Sequence, residues 1–321
     1  MNHSSNEIKL TVICETYNQE RYIRQCLDSL VNQNANFRYQ IVVHDDASND
    51  STTQIILDYA NRYPDLIIPI IQKKNLYSQG KSDSPFIASK IKGKYLAFCE
   101  GDDWWLSSDK LQVQYDYMEQ HPDCSLCVHD AKLFDDNRNC FIGNLPSSGP
   151  ERDITVKEII ENGGWYLGTN TMLFKAEDYV LPKCYLNWGV GDYPRAIYLG
   201  IKGRVHFLSE VMAVHRVNAA GSWTKRTSED IKIREAANKK IINGLKAVDI
   251  ATNRKFHDSF DKAEFMLLKQ IEELHHNLIK LMFGTYSSRF WDLDITEIVK
   301  SISRCILPRK VILIAKLLLH R

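Results

Sequence analysis

The sequence predicts an α/β fold, in which a mainly parallel sheet is covered by helices on both faces and followed by a helical C-terminal extension. Three observations carry this reading. Short apolar runs alternate with stretches of helical periodicity from residue 9 to residue 99. A polar cluster follows directly on three of those runs. From about residue 228 the pattern is almost wholly helical to the end.

Residues 9–14 form a short unbroken apolar run, as a strand buried on both faces requires. Residues 21–31 then place Ile23, Cys26, Leu27 and Leu30 on one helical face. A second strand, 39–43, ends in the turn-rich segment 44–50. Asp50 or Ser51 there caps a helix whose apolar face is Ile55, Ile56, Tyr59 and Ala60. A third strand (66–71), a helix (85–91) and a fourth strand (94–99) complete the alternation. Beyond them come a helix over 109–119, with Leu111, Tyr115 and Met118 on one side, and a strand over 124–134. Residues 141–153, rich in Gly, Pro, Ser and Asn, read as a loop. Further strands are expected at 171–174 and 205–208. The domains expected are 1–227, α/β, and 228–321, the helical extension.

A chain of 321 residues accommodates one large domain plus such an extension. Its 44% hydrophobic and 25% charged residues are those of an ordinary globular protein, which argues against disorder. The net charge of +1 and the lack of a long basic stripe argue against a nucleic-acid partner. The polar N-terminal residues do not resemble a secretory signal, and no apolar run reaches the roughly 18 residues of a membrane span. A cytoplasmic location is therefore expected, with the eight cysteines as mostly buried thiols. Cys124 and Cys127 form a C-x-x-C on a predicted strand, where their sulfurs point to opposite faces. No second C-x-x-C completes a zinc site.

In an open α/β sheet, ligands sit beyond the carboxyl ends of the strands. Glu15-Thr16-Tyr17-Asn18 follows the first strand, His44-Asp45-Asp46 the second and Glu100-Gly101-Asp102-Asp103 the fourth. Parallel strands bring all three clusters to one edge. Three carboxylates in four residues repel one another, and a magnesium or manganese ion would neutralise them. The alternative is a solvated acidic turn with Asp102 or Asp103 capping the next helix. A carboxylate at Asp45 or Asp46 accepts a bond from a ribose hydroxyl or a base N–H, or else makes an Asx turn. Tyr17 either stacks on a base or packs in the core. Neither a G-x-G-x-x-G nor a Walker A lysine motif is present, so nicotinamide and P-loop readings lose their main supports.

Taken in order, residues 11–20, 41–50 and 95–105 resemble the family 2 glycosyltransferases of the GT-A fold, and the resemblance extends over about residues 8–225. The subgroup most similar builds bacterial surface polysaccharides. The resemblance implies a Rossmann-like mixed sheet flanked by helices and a nucleoside-diphosphate sugar donor, expected to be UDP-linked. It assigns Glu15, Thr16, Tyr17 and Glu20 to the first nucleotide-binding segment and Asp46 to the base. Glu100-Gly101-Asp102 matches the family's D-x-D motif with glutamate in first place, so Asp102 and Glu100 are the implied ligands of Mn2+ or Mg2+. Asn75, Gly80 and Lys81 fall where the family reaches the donor sugar and phosphates.

Residues 188–195 resemble the family's acidic acceptor-site motif. Asp192 aligns with its catalytic base, and Gly191 replaces the glutamate that many members carry. By chemistry alone an N-cap suits Asp192 equally well. Residues 215–218 match a late segment that often reads Tyr-Arg-x-His; Asn218 takes the place of the histidine, and His215 and Arg216 are expected near the diphosphate. The implied reaction is inverting transfer of a sugar to a hydroxyl of a glycan or a lipid-linked acceptor. Two readings compete with it: a non-catalytic nucleotide-sugar-binding assembly protein, and a metal-dependent nucleotidyltransferase. Residues 306–321 are basic and strongly apolar but too short to span a bilayer. They are expected either to lie on the anionic inner face of the cytoplasmic membrane or to dock on the protein or on a second subunit of a homo-oligomer.

Overall fold

In a computed structural model, which describes residues 7–306, the first apolar run becomes β1 (Ile8–Thr16), the strand on which the sheet is built. α1 (Ile23–Val31) buries Ile23, Cys26, Leu27 and Leu30, and these join Leu10, Val12 and Cys14 of β1 in one core. β2 (Arg38–Asp45), α2 (Thr52–Arg62), β3 (Ile67–Ile71), α3 (Ser84–Ala88) and β4 (Tyr95–Phe98) follow. The four strands lie in the order β3-β2-β1-β4 and all their pairings are parallel. Their carboxyl ends therefore share an edge.

The sheet continues through β5 (Trp104–Trp105), β6 (Cys124–Asp135), β9 (Leu173–Lys175) and β10 (Arg204–Val217), with the helices α4 (Lys110–Gln120), α5 (Val156–Asn162) and α6 (Asp192–Lys202) between. The full order is β3-β2-β1-β4-β9-β6-β10-β5. β9 is antiparallel to both neighbours, so the sheet is mixed. Three expectations change. The loop expected over 141–153 contains β7 (Cys140–Asn144) on β6 and β8 (Arg152–Ile154) on β10. All five residues of β7 are exposed, so backbone pairing rather than apolar alternation makes it a strand. The strand expected at 205–208 is 14 residues long. Exposed Ser209 and Glu210, beside a register shift between Leu208 and Val211, interrupt its apolar pattern. The helix expected over 85–91 is the five-residue α3.

The described residues form two compact units, one reaching to Lys183 and resuming over Gly191–Arg226, the other made of Cys184–Val190 and the chain from Thr227. α7 (Trp223–Glu229) leads out of the first. The second is helical, with α8 (Ile231–Ala251), α9 (His257–Leu274), α10 (Leu278–Phe283), α11 (Ser287–Trp291) and α12 (Ile295–Ile306). Asp230 caps α8 by accepting from the N–H groups of Lys232 and Ile233. Phe265, Leu281, Phe290 and Cys305 make a small core among α9 to α12. No helix among the described residues is long and apolar enough to cross a membrane. The expectation for residues 306–321 falls, apart from Ile306, outside the described residues. Cys124 and Cys127 are buried thiols in the core of the first unit.

Candidate active site

The three polar clusters meet at the edge of the sheet because their strands are parallel neighbours. Gly101 N–H donates to the Glu15 carbonyl and Asp46 N–H to the Thr16 carbonyl, each at 3.0 Å. Gly101 is required by this closeness: a Cβ there would stand 2.7 Å from Thr16 Oγ1 and 2.9 Å from Thr16 Cβ. Tyr17 is 39% exposed, which favours a stacking surface over a core residue.

Several of the expected donor residues also hold the edge together. Glu20 Oε2 accepts from Ser51 N–H at 2.9 Å. The Asp46 carboxylate accepts from the N–H groups of Leu76 (2.6 Å) and Tyr77 (3.0 Å), and Asn75 Nδ2 donates to the Asp46 carbonyl at 3.0 Å. Gly80, with φ of +65°, closes that turn, and Lys81 beyond it is exposed. Asp46 thereby anchors the segment 75–81 to the end of β2. Burial, reinforced by the nearby Asp83 carboxylate, pushes the Glu15 carboxyl up to about 8.

After β4 the acidic cluster faces β10. Asp103 is buried; its Oδ1 accepts from Arg216 N–H at 2.7 Å and its Oδ2 lies 3.0 Å from His215 Nδ1. Glu100, Asp103 and His215 offer ligand atoms within 4.8 Å of one another, a group that does not include Asp102. Burial raises the Glu100 carboxyl well above its usual range, and Asp103 and Asp102 raise it further. Burial, then Asp103, brings Asp102 up to about 6. Burial alone would lower His215, but Asp103, Glu100 and Asp102 lift it to about 9. Carboxyls whose pKa values are raised by burial and by one another, beside an imidazole, suit a divalent cation, whose charge would relieve the repulsion. Asp103, one residue beyond the D-x-D match, orients the ring; the pairing that shows this is between strands distant in sequence.

Arg216, expected near the diphosphate, is buried. Its Nε donates to the Asp102 carbonyl, Nη1 to Asp136 Oδ1 and Nη2 to Gln25 Oε1, and the guanidinium packs on the rings of Tyr22, Trp104 and Phe134. It clamps the Glu100 loop from behind. Asn218 has φ of +63° and donates from Nδ2 to Asp135 Oδ1 at 3.1 Å.

Asp192 begins α6, with Gly191 at the cap and no side-chain cap bond. Its Oδ1 accepts from Tyr193 N–H at 2.7 Å. Burial raises its pKa, offset in part by the Tyr193 N–H and by the charge of His215. The charge of His215 thus acts on both the acidic cluster and Asp192. Arg195, three residues on, is stacked among Phe98, Phe174 and Tyr179 and donates to the carbonyls of Asp178 and Tyr179. Asp83, Trp165 and Arg195 were not singled out from sequence. Of these, Arg195 had a local signal, one helical turn beyond Asp192.

Known proteins are similar to this chain in the same region. The family model described as Glycosyl transferase family 2 matches residues 11–178. An uncharacterized protein of Mycobacterium tuberculosis is 31% identical over 219 residues, 67% of this chain and 60% of its own length. The chain therefore spans about 60% of the length of the first curated relatives it matches. The abequosyltransferase RfbV of Salmonella typhimurium is 25% identical over 299 residues, 84% of this chain and 83% of that one. Among solved structures, a mannosyltransferase of Pyrobaculum calidifontis, in complex with GDP-Man and Mn2+, superposes with a TM-score of 0.55. That match has 13% identity and covers 94% of this chain and 86% of that one. The mixed sheet with its flanking helices is the GT-A fold.

Proposed function

The chain belongs to glycosyl transferase family 2, and from that premise we propose that it moves a glycosyl group from a nucleoside-diphosphate sugar, UDP-linked by the sequence resemblance, to a hydroxyl of a glycan or lipid-linked acceptor, with inversion at the anomeric carbon. The observation that carries this reading is the convergence of the Glu15, Asp46 and Glu100 segments at one sheet edge, with Asp192 near enough to feel the charge of His215 and to raise Glu100. Asp192 acts as general base, taking the acceptor proton as the hydroxyl attacks. Burial raises its pKa, which makes it a better proton acceptor than an exposed carboxylate.

Tyr17 stacks on the base, and Asp46 holds the segment carrying Asn75 and Lys81 over the donor. Asp102, by the sequence resemblance, and Glu100 would hold Mn2+ or Mg2+, with His215 beside Glu100 in an orientation fixed by Asp103. The ion would supply positive charge against the departing diphosphate. The basic, apolar sequence of 306–321 supports an acceptor met at an anionic bilayer surface.

The test is a thermal-shift panel of UDP-, GDP- and dTDP-linked sugars with and without manganese, followed by an assay of nucleoside diphosphate release. A manganese-dependent shift and release of the diphosphate are expected. A shift without release would leave a non-catalytic binding protein; pyrophosphate release from a nucleoside triphosphate would make it a nucleotidyltransferase.

A further inference from the structure

The proposed donor groups come from the ends of β1, β2 and β4 and leave the acceptor unplaced. A general base must stand within hydrogen-bond reach of the hydroxyl it deprotonates. On the reading above, on which this inference rests, the reactive end of the acceptor therefore lies beside Asp192.

One large side chain borders that place and has no other role described. Trp165 is 43% exposed, although Tyr166 and Leu167 after it are buried. The backbone before it is shaped to pass close to α6. Gly163 has φ of +77°, a conformation that strains any residue with a Cβ. At Gly164 a Cβ would stand 3.2 Å from Tyr193 Cβ and 3.9 Å from Asp192 Oδ1. The indole that follows meets the His215 imidazole edge-on, with ring centroids 5.4 Å apart and planes at 77°. Trp105 shows the contrast: it is buried and donates from Nε1 to the Asn170 carbonyl, as a tryptophan used for packing does. Trp165 instead keeps much of its surface open beside the proposed base.

We propose that Trp165 is the platform of the acceptor subsite, on which a pyranose ring lies while its hydroxyl meets Asp192. One face of a pyranose is largely C–H, so it packs on the electron-rich face of an indole. The hydroxyls around the rim stay free for hydrogen bonds. A sugar bound this way would be recognised mainly by the direction of its hydroxyls relative to Asp192. The donor nucleotide is a poorer occupant, because exposed aromatics already stand on the donor side, Tyr17 after β1 and Tyr77 in the segment that Asp46 anchors.

The experiment uses the full chain with magnesium and measures saturation-transfer NMR to the methyl glycosides of glucose, galactose, mannose, rhamnose and N-acetylglucosamine. Wild type, Trp165→Phe and Trp165→Ala are compared, and each is also put through the nucleotide-sugar thermal-shift panel. At least one methyl glycoside should receive saturation from wild type and from Trp165→Phe, and roughly tenfold less from Trp165→Ala. Absence of transfer to all five from wild type, or equal transfer from Trp165→Ala, overturns the proposal. Loss of the nucleotide-sugar shift in Trp165→Ala would move the ring to the donor side and overturn it too. If wild type binds no nucleotide sugar, the functional reading fails instead, and the sugar arm, run without nucleotide, still decides on Trp165.

Discussion

Arg216 donates its Nε to the backbone carbonyl of Asp102 at 2.9 Å. Its own backbone N–H goes to Asp103 Oδ1, so a single residue of β10 holds two consecutive residues of the acidic loop. An arginine that the family resemblance puts near the diphosphate thereby supports the loop that carries the proposed metal ligands.

Replacing Arg216 should therefore loosen that loop. Arg216→Ala takes the guanidinium from the Asp102 carbonyl and from Asp136, which keeps the Tyr22 hydroxyl at 2.7 Å, a loss of about 1.5–3 kcal/mol for hydrogen bonds to a charged group. Arg216→Lys keeps the charge but cannot serve three acceptors in a planar fork. Both should melt lower and need more manganese for the same nucleotide-sugar shift. A melting temperature within about 1 °C of wild type for Arg216→Ala would contradict the clamp.

Removing the cation, by chelation or by Asp102→Ala, should weaken donor binding and turnover together. The motive is the acidic cluster with raised Glu100 and Asp102 pKa values. Full activity in excess chelator would sink the metal assignment.

Asp192→Asn separates base from structural residue. The amide oxygen can still accept from Tyr193 N–H, so the start of α6 should survive. Turnover should fall by about 10²–10⁴ with donor affinity nearly unchanged. A loss of only about threefold would be too small for a general base and would send the search elsewhere in the cleft.

Lys110 gives a pH test in the core. It is fully buried, donates to Gln114 Oε1 at 2.7 Å and lies over the Trp105 ring. Burial pushes its pKa down to about 7. In the unfolded chain a lysine titrates near 10.4, so between about 7 and 10.4 the unfolded state binds more protons and stability rises with pH. Below about 7 both states hold the proton and the penalty is constant. Lys110→Met should remove this slope and melt higher than wild type at pH 7. Parallel melting curves for the two proteins from pH 7 to 9 would refute it.

In the helical unit, a Cβ on Gly244 of α8 would fall 2.1 Å from Trp188 Cε2. Alanine normally favours a helix interior over glycine by about 1 kcal/mol. Here overpacking should reverse the sign, and Gly244→Ala should destabilise by about 1–3 kcal/mol. A higher melting temperature would show that the close approach does not hold in solution.

The parallel core β3-β2-β1-β4 was legible because each strand is a short apolar run with its own amphipathic helix, a signal held within a dozen residues. The meeting of the Glu15, Asp46 and Glu100 segments followed from that parallelism alone. The helical character of the last third was legible for the same reason. β5, β7 and β8 were not, because a two- to five-residue strand at the rim is made by the neighbour that offers it hydrogen bonds and needs no apolar alternation of its own.

The same division runs through the site. Sequence alone placed carboxylates at the ends of strands, since residue type and spacing are local properties. It could not show that Asp103 would be taken by His215 and Arg216, 112 and 113 residues away, or that Asp46 would be engaged by the amides of Leu76 and Tyr77. Nor could it show that Trp165 would stay open beside Asp192 while Trp105 is buried. Those outcomes depend on which partners burial brings within 3 Å, and a buried donor or acceptor takes whatever partner the fold places there. Tertiary structure therefore decided which polar residues brace the edge of the sheet and which remain open beside it.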